Sequence, residues 1–367
     1  MARITIADIA RHAGVSTGAV SYALNGRPGV SDETRARILR VAAELGWVPS
    51  QAARALSGAR VETIGLVLAR APEVLGFESF YMQFIAGVEQ VLAERGYGLL
   101  LQVVPDVDAE VEAHRRWHAA RRVDGVIVVD PRPQDPRLAA LSGRDALPAV
   151  LVGDPMFAAG LTSVYTDDAA AMRECVRYLA GLGHRSIGRV SGTEGYGHTT
   201  IRDLAFAEEV GRAGVDGRVV RADFTPESGA AATRSLLVAA DPVTAVVYDN
   251  DVMALAGLGV ARELVVRVPE DLSLVAWDDS PLCQATYPRL TALGHDVTGY
   301  GAHVARRLFE RMAGAVPHAY RDSTPALTVR GSTAPPATGR AGGAPGPGPA
   351  TAWGAEARPP RARVREA

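Results

Sequence analysis

The stretch TIADIARHAGVSTGAVSYALNG, residues 5–26, decides how the chain begins. Thr5 is placed to cap a helix, with Asp8 at its third position, near the positive end of the helix dipole. Ile6, Ile9, Ala10 and Ala13 then fall on one stripe. Gly14 permits the left-handed turn that ends such a helix. Ser16 can cap a second one, and Val15 and Val20 have the spacing of a hydrophobic staple. Asn25-Gly26 stops it. Val30-Ser31 repeats the start signal, and a third helix is expected from Asp32 to Leu45. Two short helices joined at a tight glycine turn, within a set of three, make a helix-turn-helix. In that motif the second helix enters the DNA major groove with its first turns against base edges. Thr17, Gly18, Ser21 and Tyr22 would then face DNA, flanked by Thr5, Ser16, Asn25 and Arg27. The same pattern also suits a plain three-helix packing module.

Charge distribution favours the first reading. The whole chain of 367 residues has a net charge of -2, but residues 1–60 hold eight arginines against four acids. A basic segment on a near-neutral protein suits a polyanion. A hydrophobic content of 47% is enough for two or three domains. Lysine is absent, since all 39 basic residues are arginine. This excludes a Walker lysine, a Schiff base and an SxxK hydrolase. No GxGxxG, GxSxG or HExxH occurs either. The two cysteines, Cys175 and Cys283, form no CxxC, so no metal, cofactor or disulfide framework is expected. No apolar run reaches the roughly 18 residues of a membrane span, and no signal peptide is legible. The expectation is a cytoplasmic protein with no membrane contact.

Residues 49–60, PSQAARALSGAR, follow. Ser50 could cap a helix of about two turns, too short to be stable alone. Leu56 is its one large apolar residue. Taken together, Ile4 to Gly58 resembles, without a gap, the headpiece and hinge of the lac repressor/galactose repressor (LacI/GalR) family of bacterial transcription regulators. The resemblance implies recognition positions at Thr17, Gly18 and Tyr22. It also implies a hinge helix that folds on DNA, with Ala53 against it and Leu56 wedged into the minor groove. Tyr22 stands where many members carry arginine, and tyrosine cannot make arginine's bidentate guanine contact.

From Thr63 the pattern changes. TIGLVLA, GLLLQVV, VDGVIVVD and LPAVLVGD read as buried parallel strands, with helices near 80–95, 108–121 and 135–142. HRSIGRVSG, GRVVRADF, VTAVVYDN and DLSLVAWDD form a second series. Two β/α series suggest two doubly wound lobes with a ligand cleft at the carboxyl ends of the strands. The resemblance continues to about Pro335 and implies a two-lobed, periplasmic-binding-protein-like effector domain. Its lobes would cover about 63–160 plus 293–322, and 161–292 plus 323–332. Three positions match family ligand contacts: Arg202, Asn250 and Asp278. A guanidinium fork with carboxylate and amide groups suits a polyhydroxylated ligand such as a sugar. Helix capping for Asn250, a turn for Asp278 and a surface salt bridge for Arg202 are the structural alternatives. Trp277 could stack on a sugar ring, though a strand-end tryptophan is as often core; Phe77, Phe80 and His295 complete the candidate effector set, and His184 is expected to be structural.

Residues 334–367 are rich in proline, glycine and arginine and cannot bury enough apolar area to order themselves. They hold no leucine heptad, so a homodimer is favoured over a tetramer. The expected organisation is a helix-turn-helix headpiece (1–48), a hinge (49–62), an effector domain (63–333) and a tail (334–367). The expected function is a non-enzymatic, DNA-binding repressor on a pseudo-palindromic operator, controlled by a small molecule. A solute-binding protein and a carboxylate-dependent enzyme are the alternatives.

Overall fold

The computed structural model describes residues 4–47, 60–71, 76, 79–143 and 145–337. The hinge positions Ala53 and Leu56, the candidate Phe77 and tail residues 338–367 lie outside them.

Three helices open the described chain: α1 (Ile6–Ala13), α2 (Thr17–Leu24) and α3 (Asp32–Glu44). Their caps follow from residue chemistry. The Thr5 hydroxyl accepts from the Asp8 amide while the Asp8 carboxylate accepts from the Thr5 amide, a complete capping box. Ser16 and Ser31 cap the other two through Ala19 and Thr34. Gly14, at φ 66°, makes the turn. The apolar stripes meet in one small core of Ile9, Ala13, Val20, Ala23, Ile38 and Ala42.

The remainder builds two six-stranded sheets. The first runs β11-β5-β4-β3-β1-β2 and the second β12-β10-β9-β8-β6-β7. In the first sheet the strands are β1 (Thr63–Ala69), β2 (Gly98–Val104), β3 (Gly125–Val128), β4 (Ala149–Val152), β5 (Thr162–Thr166) and β11 (Ala319–Ser323). The second holds β6 (Ser186–Ser191), β7 (Asp216–Arg221), β8 (Ala245–Tyr248), β9 (Ser273–Trp277), β10 (Thr291–Gly294) and β12 (Ala326–Thr328). All pairings are parallel except β10 with β12. Parallel neighbours need crossovers, and nine helices among the described residues supply them. They are α4 (Ser79–Glu94), α5 (Val107–Ala119), α6 (Pro136–Ala140), α7 (Asp168–Leu182), α8 (Gly197–Ala213), α9 (Pro226–Leu237), α10 (Asp251–Glu263), α11 (Pro281–Ala285) and α12 (Val297–Met312).

The lobe limits differ from the expected ones. The chain leaves the first sheet after Thr166, not near 160, because Thr162–Thr166 pairs with β4 and β11. It returns after Gly294, since Thr291–Leu293 pairs with β9. The polar Thr-Ser-Val-Tyr-Thr of β5 carries no apolar run to mark it as a strand. The tail also begins later than 334: the Ala334 amide and carbonyl bond to Ser273 Oγ, and the carbonyl lies 3.1 Å from His184 Nε2. His184 also meets Thr244, and so is structural as expected.

Helices α4 and α12 cross in backbone contact on the first sheet. A Cβ on Gly87 would sit 1.8 Å from the Thr298 carbonyl oxygen, and one on Gly301 2.1 Å from that of Phe84. Gly87→Ala must therefore push the helices apart. It is expected to destabilise the protein by about 1–3 kcal/mol, the usual range for overpacking, read as a lowered denaturation midpoint.

The same lobe holds a buried charge cluster. Arg137 donates to both oxygens of Glu110 at 2.9 Å and to Asp135. His114 lies alongside, 2% exposed, with no hydrogen bond to either ring nitrogen among the described residues. Burial, aided by Arg137 and opposed by Asp135, pushes its imidazole down to about 4. As pH falls from about 6.5 to 4 the unfolded chain takes up a proton that the folded form refuses, so stability is lost across that window. Burial raises Glu110 to about 7 against Arg137, and Glu110 titrates in the opposite sense. The test is thus a difference. His114→Leu should reduce the acid-side loss by up to about 1.4 kcal/mol per pH unit, measured by denaturation at pH 4.5–6.5.

Candidate functional site

On the headpiece, burying Val20 and Ala23 turns the opposite side of α2 outward. Thr5, Ser16, Thr17, Gly18, Tyr22, Asn25 and Arg27 are exposed, and Ser21 is half-buried. The sequence-derived positions, apart from Ser21, are thus accessible. Tyr22 is steadied by the loop behind it, where a Cβ on Gly29 would come within 3.2 Å of the ring. Asn25 donates to the Ser21 carbonyl at 2.9 Å. Two basic residues there already have partners. Arg11 pairs with Asp8. Arg35 donates to the carbonyls of Ala23 and Arg27, fixing the loop between α2 and α3.

The second candidate lies where the carboxyl ends of both sheets face each other. A cavity of about 110 Å³ there is lined from both lobes. Arg202, on α8, is its organising group. Its Nε donates to Asp168 at 2.7 Å, and its Nη1 to the carbonyl and side chain of Asp249. Its guanidinium carbon lies 3.7 Å from the Trp277 ring centroid. Asp249, just past β8, also accepts from Arg189 and from the Gly192 amide. Burial raises the Asp249 carboxyl. Arg189, Arg202 and the Gly192 N–H outweigh that, and it stays below the usual carboxylate range.

Asp278, just past β9, lines the cavity beside this group and is half-buried. Three lining residues other than glycine adopt positive φ: Asp278 at 61°, Asp130 at 51° and Phe224 at 70°. Such backbone clusters at functional sites, because surrounding structure must hold it.

The first lobe contributes Arg70, at the end of β1, and Asp130, at the end of β3. They make a two-pronged ion pair at 2.9 and 3.0 Å, and the Tyr81 hydroxyl donates to Asp130 at 2.6 Å. Burial would raise Asp130, yet Arg70 holds it well below the carboxylate range. His198 and Phe224 line the cavity from the second lobe. Desolvation lowers the His198 imidazole to about 4, so it is neutral at pH 7.

Arg202, Asn250, Asp278, Phe80 and His295 all line the cavity. Two of the candidates hold structural contacts beside the cavity. Trp277 does not line it. The ring is 1% exposed and lies beneath Arg202, so it supports the guanidinium and is not free to stack on a ligand. Asn250 lines the cavity and also caps α10 through the Met253 amide and donates to the Phe224 carbonyl. His295 packs edge-on against Tyr300 at 5.5 Å, and its Nε2 makes no hydrogen bond among the described residues.

Sequence reasoning missed Arg70, Tyr81, Asp130, Asp168, His198, Phe224 and Asp249. For Arg70, Asp130 and Asp249 a signal existed: each is a charged residue directly after, or one residue past, an apolar strand run. Tyr81 and His198 belong to no such run, and Phe224, the last residue of GRVVRADF, carries no charge to mark it.

Comparison with known proteins agrees with both halves. The profile described as "Bacterial regulatory proteins, lacI family" matches residues 5–50, and a periplasmic binding protein-like domain matches 176–333. The HTH-type transcriptional regulator CelR of Thermobifida fusca is 33% identical over 85% of this chain and 93% of its own. A structure of a CelR–cellobiose complex superposes with a TM-score of 0.69 at 32% identity, covering 90% of this chain and all of that one. The lac repressor dimer bound to operator and an anti-inducer reaches a TM-score of 0.78 at 25% identity, over 91% of this chain and 100% of that one. The chain belongs to the lacI family of bacterial regulatory proteins.

Proposed function

We infer that this chain is a cytoplasmic, homodimeric transcriptional repressor whose operator affinity is set by a small polyhydroxylated metabolite, a sugar, bound between the lobes. One observation carries the reading. A helix-turn-helix with an open recognition face shares a chain with a two-lobed cavity lined by strand-end carboxylates and a fixed guanidinium. The relatives support it: the lac repressor structure is a dimer on operator, and the CelR structure holds cellobiose. The headpiece argues against a plain solute-binding protein, and the curated relatives are named as transcriptional regulators and repressors.

In this reading Thr17, Gly18, Ser21 and Tyr22 meet base edges in the major groove. Thr5, Ser16, Asn25 and Arg27 hold the flanking backbone, and Ala53 and Leu56 act at the hinge. Arg202 and Asp278 grip ligand hydroxyls, while Phe80 and His295 close on it from the other side. A ligand that touches both lobes favours one arrangement of them, and two recognition helices must reach half-sites about 34–36 Å apart. A modest lobe rotation therefore changes operator affinity.

Two measurements test this. Operator duplexes selected from a random pool should be pseudo-palindromic, with binding that falls steeply with salt. Arg27→Ala, on both protomers, should lower the slope of log affinity against log salt by about 2, close to one per lost phosphate contact. A slope near zero in the wild type would remove the assigned DNA face.

Asp278→Ala should weaken effector binding by roughly 10- to 100-fold, the range for losing a hydrogen bond to a charged group. Operator binding without effector should stay near normal. Titration calorimetry and gel shift on the same preparation separate the two, and an unchanged effector midpoint would remove Asp278 from the site.

A further inference from the structure

Arg70 divides the space between the lobes. Its ion pair with Asp130 anchors it to the first lobe. Its guanidinium carbon also lies 4.7 Å from the ring centroid of Tyr196 and 5.1 Å from that of Phe224, both in the second lobe. Tyr196, His198 and Phe224 form a mutually packed aromatic triangle, with centroids 5.6–6.2 Å apart. Arg132 of the first lobe reaches Tyr196 as well, at 4.8 Å, and the Gly197 amide donates to the Pro131 carbonyl at 2.7 Å. One side of this wall is the 110 Å³ cavity. A second chamber of about 310 Å³ lies beyond it, lined by Asp106 and Arg132 of the first lobe and by Thr193, Tyr196 and Asp223 of the second. Among the described residues, Arg70 lines both.

We propose that Arg70 is the size-determining residue of the effector site: it walls the inner cavity off at one ring, and the outer chamber is a subsite that a two-ring ligand could reach only past it. The inference rests on the reading of the cleft as a sugar site. The inner cavity is below the roughly 300–1,000 Å³ usual for drug-sized ligands. Extension of a ring toward the outer chamber meets a guanidinium held on four sides, by Asp130 and by the faces of Tyr81, Tyr196 and Phe224. Moving it would break the ion pair and uncover a carboxylate, which is costly away from water. Exclusion by a fixed obstacle is an effective source of selectivity.

The test uses the full chain and neutral sugar pairs: glucose with cellobiose and maltose, galactose with lactose, xylose with xylobiose. Binding is read by calorimetry. The wild type should bind a monosaccharide at least about tenfold more tightly than the disaccharide containing it. Arg70→Ala should bring that ratio close to one, and Arg70→Lys, which keeps a cation for Asp130 and most of the length, should preserve most of it. The double substitution Arg70→Ala/Asp130→Asn removes the orphaned carboxylate and separates loss of selectivity from loss of folding. Hydrogen exchange of residues 191–202 in the ligand-free protein gives a readout free of any sugar, and it should rise in Arg70→Ala. A wild type that binds the disaccharide as well as its monomer overturns the proposal, as does an Arg70→Ala protein with unchanged selectivity. If no sugar binds any form, the sugar reading fails on its own. The wall then stands on faster exchange in Arg70→Ala and falls if exchange is unchanged.

Discussion

The effector lobe pair is organised around a carboxylate with almost no water, Asp249. It sits just past β8 and accepts from Arg189 on β6, from Arg202 on α8 and from the Gly192 amide. Arg202 continues the chain of charges to Asp168, at the start of α7, where the chain has just crossed from the first sheet. The ion group thus joins three elements of the second lobe to the crossover. Buried ion pairs are weak sources of stability, because desolvating each ion costs several kcal/mol. Here the network holds a guanidinium at fixed height over Trp277 at the mouth of a cavity. Its gain is position.

Parallel topology explains why the charges gather at this end. Every β–α unit delivers the residue after its strand to the same edge of the sheet, and both sheets present that edge to the cleft. Arg70, Asp130, Asp249 and Asp278 are all such residues. Their backbone supports the role, since Asp130 and Asp278 take left-handed φ where the chain leaves its strand. Aspartate tolerates that region better than most side chains, so the sequence supplies the residue type that the turn and the site both require.

Legibility followed the strength of local signals. Caps at Thr5, Ser16 and Ser31, and the turn at Gly14, are single-residue chemistry and were readable to within a residue. Apolar strands such as TIGLVLA announced themselves by composition. β5 did not, because TSVYT lies beside the crossover and alternates polar groups, and its loss displaced the lobe limit by about six residues. β10, β11 and β12 are short and equally quiet. The site was half legible. Arg202 and Asp278 came from family resemblance, whereas Trp277 stood open between ligand and core, because a strand-end tryptophan gives no hint of which face it takes. Arg70 escaped notice because its partners, Tyr196 and Phe224, are more than 120 residues away in loops without periodicity.

The contrast between the two sites is itself physical. The recognition helix has no buried charge to position its surface, only a small apolar core and three serine or threonine caps. What it presents is therefore set side chain by side chain. Gly18 offers no side chain, and Tyr22 can stack or make one hydrogen bond but cannot read guanine in two-pronged fashion. The loop from Asn25 to Ser31 closes over one edge of Tyr22 through Gly29, at φ 115°, and Arg35 holds that loop by two carbonyls. A larger residue at 29 would meet the ring and a strained backbone together. The aromatic at 22 and the glycine at 29 are thus constrained together, by the ring and by a backbone conformation that glycine adopts most readily.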